Sequence, residues 1–241
     1  IIHLKKENKI KNKACYCGRL DPMARGNMLI LENQECKKMN EYLKNNKTYE
    51  FIIVFGLATD TDDVMGLFKN DSSSTNFSIL KQEKIYKIKL KSSIEKVLKQ
   101  PEQKFHRYSS YMLRKGEKRK PLWKWEKMGL LKENEIPRKK VKVFNLKELK
   151  KYHTNLKELI QIWINDISIV NNKHNFRQER IIEQYKILLE QIELYNQASE
   201  EDLKVCCIKY EIKVSSGFYV RQFICDLKKE IEYPILVYDI N

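Results

Sequence analysis

Hydrophobic positions along this chain change period several times, and each change marks an element. Met28-Leu29-Ile30-Leu31 is a short, continuous apolar run and predicts a buried strand. Residues 32–46 then put Cys36, Met39 and Leu43 on one face at helical spacing, predicting a short helix. Tyr49-Glu50-Phe51-Ile52-Ile53-Val54-Phe55 is aromatic and β-branched, bounded by Lys/Asn residues and Gly56, and predicts a central strand. Residues 57–66 are acidic and read as exposed, and 71–76 (DSSSTN) read as a loop. Residues 85–90 alternate at period two, which predicts a half-buried strand, with Ser92 or Ser93 capping a helix through Leu98.

The second half of the chain is more helical. Leu149, Tyr152, Leu156, Leu159, Ile160 and Trp163 keep helical spacing, as do Ile181, Ile182, Tyr185, Leu188, Leu189, Ile192 and Tyr195. Residues 162–170 fit either a helix or a strand. Cys206 to Val214 returns to a strand pattern, Phe218 to Ile231 reads as a helix with Arg221 in its first turn, and Pro234 to Ile240 as one more strand. The pattern has no repeats, and the elements sum to an α+β fold in which a sheet is flanked by helices.

A chain of 241 residues suits one large domain, or one domain carrying an insertion. The net charge of +15 suits a polyanionic partner such as nucleic acid, although solubility or a lysine-rich composition accounts for charge alone. No apolar run approaches the roughly 20 residues that span a bilayer, and no secretory pattern opens the chain, so no membrane role is expected. The six cysteines form no CxxC pair and the four histidines are scattered. Reduced thiols, an intracellular setting and no metal site are therefore the expectation.

The segment Tyr16-Cys17-Gly18-Arg19-Leu20-Asp21-Pro22-Met23-Ala24-Arg25-Gly26 carries the clearest chemistry. Pro22 fixes the backbone beside Asp21, while Gly18 and Gly26 permit positive φ or a close approach to a ligand. A carboxylate on a stiff loop that feeds a core strand presents one reactive oxygen at a fixed place. The run GRLDPMARGNMLIL resembles the GxLDPxAxGxL segment that carries the nucleophilic aspartate in the TruB family of tRNA pseudouridine synthases. Three later segments resemble that family in the same order. Lys47-Thr48-Tyr49 with Gly56-Leu57-Ala58-Thr59-Asp60-Thr61-Asp62-Asp63 and Gly66 looks like its K-x-Y strand and G-x-x-T-D-T-D-D-x-x-G loop. Tyr108-Ser109-Ser110, Lys115-Gly116 and residues 122–129 look like its YSA…GK…LYExAR.G segment, and Gly217-Phe218-Tyr219-Val220-Arg221 like its G-[TF]-Y-[IV]-R motif.

The resemblance implies a mixed, mainly antiparallel sheet with flanking helices, the pseudouridine synthase fold. It implies isomerisation of the T-loop uridine of tRNA (position 55 in tRNA numbering) to pseudouridine, a reaction needing no cofactor or metal. Asp21 would be the catalytic carboxylate, acting on the sugar, on the base, or on a ribose proton. Arg221 would keep it ionised, since a neighbouring Arg lowers an Asp pKa by about 1–3 units against the effect of burial. Tyr49 would stack on the target base and serve a late proton transfer. Tyr16, Arg19, Tyr108, Ser109, Lys115 and Tyr219 would contact substrate, with core packing the equal alternative for Tyr219. Uracil in a folded loop has to be flipped out, and stem and loop gripped through phosphates and shape. Six Lys/Arg interleaved with Tyr108 and Tyr111 across residues 105–120 suit that grip.

The departures are informative too. Tyr16 stands five residues before the aspartate, where the family usually has a histidine that helps displace the base. Residues 1–14 carry no counterpart of the family's K-P-x-G-x-[ST] turn, and residues 146–203 exceed the bacterial pattern. The expectation is a single catalytic domain over residues 1–241, with that N-terminal element missing and no PUA domain. A helical insertion at 146–203 would be either a packed pair or an extra RNA-contacting module. Partners are expected to be tRNA, through its T stem-loop, or messenger RNA with a similar loop, bound by a monomer. The alternative is a non-catalytic RNA-binding or RNA-folding protein of the same fold.

Overall fold

The computed structural model describes residues 7, 9–18, 20–68, 86–171 and 176–241, and the side chains of these except 86–88. The expected loop at 71–76 and the candidate Arg19 lie outside the described residues. Among the described residues, three two-stranded antiparallel ribbons accompany a four-stranded antiparallel sheet. The first ribbon joins β1 (Ala14–Tyr16) to β2 (Ile30–Glu32), and a 3-10 turn (Asn33–Lys38) with a short α1 (Met39–Tyr42) follows it. The main sheet then begins with β3 (Lys47–Phe55), and α2 (Tyr86–Leu98) leads to β4 (Glu102–Lys104). A hairpin of β5 (Met112–Lys115) and β6 (Lys118–Pro121) precedes α3 (Leu122–Lys127), and β7 (Arg138–Lys140) pairs back on β4. The long β8 (Val143–Asn155) runs into α4 (Leu156–Ile169), α5 (Gln178–Ser199), β9 (Lys204–Val214), α6 (Val220–Ile231) and β10 (Ile235–Tyr238).

The main sheet has the order β10-β3-β9-β8, with every neighbour antiparallel. Its central strand β3 is apolar on both faces because both are covered. Phe51, Ile53 and Phe55 pack with Ile94 of α2 and with Phe223, Ile224 and Leu227 of α6. Ile52 and Val54 point the other way, into a core with Leu156, Ile160 and Trp163 of α4 and Ile181, Tyr185 and Leu188 of α5. Alternate side chains of a strand point to opposite faces, so one strand contributes to two cores.

Four expectations are corrected. The strand expected at 28–31 is confined to Ile30–Glu32, and Met28 and Leu29 are 41% and 46% exposed. The strand expected over 85–90 is the start of α2 where it is described, and Ser92 and Ser93 lie inside that helix rather than at its cap. Leu90 and Ile94 are both buried one helical turn apart, and that spacing overrides the short alternation before it. Residues 146–155 are not helical: they belong to β8, which runs to Asn155, whose side chain then caps α4 through the N–H groups of Lys157 and Glu158 at 2.9 and 3.3 Å. The acidic stretch 57–66 is buried, with Thr59, Asp62 and Val64 at 1%, 4% and 1% exposure. Residues 162–170, open between two readings, are helix to Ile169.

Candidate active site

Asp21 sits in the turn between β1 and β2. The Asp21 carbonyl accepts from the Ala24 N–H at 3.0 Å, closing the turn that Pro22 starts. Gly18 and Gly26 flank it at φ +92° and +128°, the left-handed backbone that the spacing of the two glycines anticipates. The Arg25 N–H donates to the Ile240 carbonyl at 2.8 Å, fastening the loop to the segment after β10.

Arg221 rises from the first turn of α6 to meet the aspartate. Its Nε donates to Asp21 Oδ2 at 2.7 Å and its Nη2 to Oδ1 at 2.8 Å, a two-pronged pair between residues 200 apart in sequence. The guanidinium is sealed and the carboxylate is open, their side chains 7% and 38% exposed. Burial alone favours loss of the Arg221 charge, but the Asp21 and Asp63 carboxylates outweigh it and hold the cation firmly. Tyr49, half-buried on β3, has its hydroxyl pKa raised by burial and then by the Asp21 charge, so it stays a neutral phenol at pH 7. Tyr219 caps α6 with its backbone clamped by Gln103: its N–H donates to Oε1 at 2.8 Å and its carbonyl accepts from Nε2 at 3.1 Å. Its ring meets Phe105 edge-on at 5.4 Å.

Behind this pair, the 57–66 loop spends each of its three aspartates on different cations. Gly66 is obligatory there, because a Cβ would come within 2.4–2.5 Å of Thr61 and Thr59 side-chain atoms. Asp63 lies 3.4 Å from Arg221 Nε and accepts from the Thr61 hydroxyl at 2.6 Å and the Met65 N–H at 2.9 Å. Burial pushes its carboxyl up to about 6 despite Arg221. Asp62 is bound by the Lys228 ammonium and by His106 Nε2 at 3.2 Å. Burial raises its pKa, yet His106 and Lys228 together leave it below the ordinary carboxylate value. His106 is itself pushed down, by burial and then by the Arg221 charge. The Tyr108 N–H donates to its Nδ1 at 3.3 Å, which assigns the proton to Nε2, facing Asp62. Asp60 takes both prongs of Arg177 at 2.7 and 3.1 Å and the Tyr108 hydroxyl at 3.0 Å.

A cleft of about 1940 Å³ opens over these groups, bordered by Tyr16, Asp21, Tyr49, Tyr108, Tyr219 and Arg221. Two of the substrate-contact candidates lie elsewhere. Ser109 is 1% exposed and serves its own loop, its N–H donating to His106 O at 2.8 Å and its carbonyl accepting from Trp123 N–H at 3.2 Å. Lys115 donates to the Leu130 carbonyl and the Glu135 carboxylate, 5.6 Å above the Trp125 ring. The sequence reading missed His106, Arg177 and Lys228, and misplaced Asp60, Asp62 and Asp63 at the surface. The signal for the acids was their density, since three buried carboxylates in one short loop require cations from elsewhere. Among the described residues, no group of three or more His, Cys, Asp or Glu side chains is arranged to hold a metal ion.

Residues 5–165 match the family model described as TruB family pseudouridylate synthase (N terminal domain). The chain belongs to the TruB family. A relative, tRNA pseudouridine synthase 4 of Saccharomyces cerevisiae, is 27% identical over 256 aligned residues, covering 95% of this chain and 59% of the relative. The tRNA pseudouridine synthase B of Aquifex aeolicus is 36% identical over 66 residues, 27% of this chain and 23% of that one. Its counterpart in Endomicrobium trichonymphae is 32% identical over 73 residues, 30% and 32% of the two chains. The aligned part of this TruB-family chain thus spans between about a quarter and three fifths of these relatives' lengths. A crystal structure of a Cbf5-Nop10-Gar1 complex superposes with a TM-score of 0.41 at 14% identity, covering 99% of this chain and 42% of that one.

Proposed function

We propose that this chain is a tRNA pseudouridine synthase that isomerises the T-loop uridine, with Asp21 as the catalytic carboxylate. The observation that carries the proposal is the asymmetric pair of a sealed Arg221 and an open Asp21 at the floor of a cleft bordered by Tyr49. A merely structural ion pair has no need to leave its carboxylate accessible while burying its cation. The fork fixes both carboxylate oxygens while leaving acceptor capacity on each for the substrate.

The reaction conserves atoms and electrons. The bond from the ribose to N1 breaks, the uracil turns over, C5 joins the ribose carbon, and the proton on C5 is exchanged for one on N1. Asp21 acts at the ribose or the base during cleavage, and the neutral Tyr49 phenol serves the late proton transfer. Tyr16, Tyr108 and Tyr219 supply ring faces along the cleft for a flipped base and its neighbours. The T stem-loop of tRNA, or the same loop shape in a messenger RNA, is the substrate class that family membership and the basic chain favour.

The test is incubation of the purified chain with an unmodified tRNA transcript, mapping pseudouridine by chemical probing, beside Asp21→Asn. Pseudouridine at the T-loop uridine, absent with the variant while tRNA binding persists, is the expected result. Product formed by the Asn variant removes Asp21 from the mechanism. Tight binding with no product from the parent chain replaces the enzyme by an RNA-folding protein.

A further inference from the structure

We infer that Arg177 is a positioning residue for the cleft: it holds Tyr108 and, through Asp60, the 57–66 loop in place, and so ties the α4–α5 pair to the site. The catalytic part of this inference rests on the proposed pseudouridine synthase reaction; the mechanical part does not.

The geometry is specific. Both prongs of the guanidinium go to one carboxylate, at 2.7 Å to Asp60 Oδ2 and 3.1 Å to Oδ1. Asp60 is committed to its own loop as well, since Oδ1 accepts the Leu67 N–H at 2.8 Å and the Asp60 N–H donates to the Leu67 carbonyl at 2.9 Å. Oδ2 also accepts the Tyr108 hydroxyl at 3.0 Å, and the guanidinium carbon lies 5.5 Å from the centre of the Tyr108 ring. Tyr108 is therefore held at its hydroxyl and over one face by a single acid–base unit. Arg177 takes φ +65°, ψ +24° just before α5, a left-handed backbone uncommon for a residue with a side chain. The same helix reaches the loop once more, and the chain just past it once. The Gln184 side chain accepts the Phe68 N–H at 2.9 Å, and the Tyr185 hydroxyl donates to the Val64 carbonyl at 3.1 Å. Tyr108, Arg177 and Asp21 border one cleft, and Asp63 of the same loop faces Arg221. Displacing the loop thus moves the group behind the catalytic pair.

A direct substrate contact is the competing role for a cleft arginine, and the two roles separate in measurement. The full chain is compared with Arg177→Ala and Arg177→Lys by amide hydrogen exchange and by single-turnover kinetics on the tRNA transcript. Exchange at Asp60 and Leu67 is expected to quicken about tenfold or more in Arg177→Ala while β3 and β9 are unchanged, with Arg177→Lys between the two. The maximal rate at saturating tRNA is expected to fall at least about tenfold with half-saturation within about twofold. Unchanged exchange in the loop overturns the inference, whether or not the chain makes pseudouridine. So does a raised half-saturation with an unchanged maximal rate, which makes Arg177 a substrate contact. A quickened loop in a chain that never makes pseudouridine upholds the mechanical role and refutes the functional reading alone. Should Arg177→Ala fail to fold, Arg177→Lys, which keeps the charge and stem but not the fork, decides by the same two readouts.

Discussion

Two carboxylates share the Arg221 guanidinium, and they face different media. Asp21 is 38% exposed through its side chain, whereas the Asp63 side chain is 9% exposed. Asp63 therefore bears the cost of burial, which lifts its pKa to about 6 in the fold against an ordinary value of 3.8. Between those two values the folded state binds a proton that the unfolded chain has released. Stability from this group is then full below about pH 4 and is lost as pH rises through 6, by at most roughly 1.4 kcal/mol per unit of pKa difference. Urea denaturation from pH 4 to 7 is expected to show that Asp63→Asn gains on the parent chain as pH rises; parallel curves would show that Asp63 does not titrate there. Arg221→Lys tests the other partner. One ammonium cannot fork onto two oxygens, and displacing a reacting group by about 1 Å costs on the order of 100-fold in rate. A Lys variant turning over at the parent rate would make the pair structural. Asp21, Tyr49 and Arg221 were legible as a trio only through the family motifs, since nothing local in residue 21 announces a partner 200 positions away.

At the scale of elements, periodicity worked where one face meets one environment and failed where it does not. β3, β9, β10 and α6 were readable because their apolar positions are filled on schedule. β8 was misread because it is an edge strand with register shifts at Val143/Asn145 and Glu148/Lys150. A bulge adds a residue to the period of two, so Leu149 and Tyr152 fell three apart and mimicked a helix. Leu149 is in fact 37% exposed. The α4–α5 pair was legible as two helices, but its attachment to the 57–66 loop was not, because Trp163, Tyr185 and Val64 meet only in three dimensions. Trp163 is fully buried and lies 5.7 Å from Tyr185, whose hydroxyl donates to Val64. Trp163→Ala is expected to cost about 3–5 kcal/mol in urea denaturation, and Tyr185→Phe about 1 kcal/mol for the single hydrogen bond. Equal losses in the two variants would mean that the hydroxyl, not the ring packing, secures the pair.

For the whole molecule, the charge of +15 matters less than its placement. The acids of the 57–66 loop are turned inward onto Arg177, His106, Lys228 and Arg221, so they subtract little from the outer field. The β5–β6 hairpin instead points basic groups outward: Arg114, Lys118 and Arg119 are exposed, on the strands that run from Tyr111 to α3. Lys115 on the same hairpin is already spent on Glu135, so the hairpin's grip falls to its neighbours. If these residues hold RNA phosphates, each contact releases counterions, contributing about 0.7–0.9 to the slope of log affinity against log salt. Lys118→Gln with Arg119→Gln is therefore expected to lower that slope by roughly 1.4–1.8 in tRNA-binding titrations. The rate at saturating tRNA should stay near the parent value, because neither side chain borders the cleft. An unchanged slope would move the phosphate grip off the hairpin, onto other basic strands such as β7 and β8. A changed slope with a collapsed rate would mean that the hairpin also shapes the site, which its hydrogen bond from Trp125 Nε1 to the Leu113 carbonyl at 3.0 Å gives it a route to do.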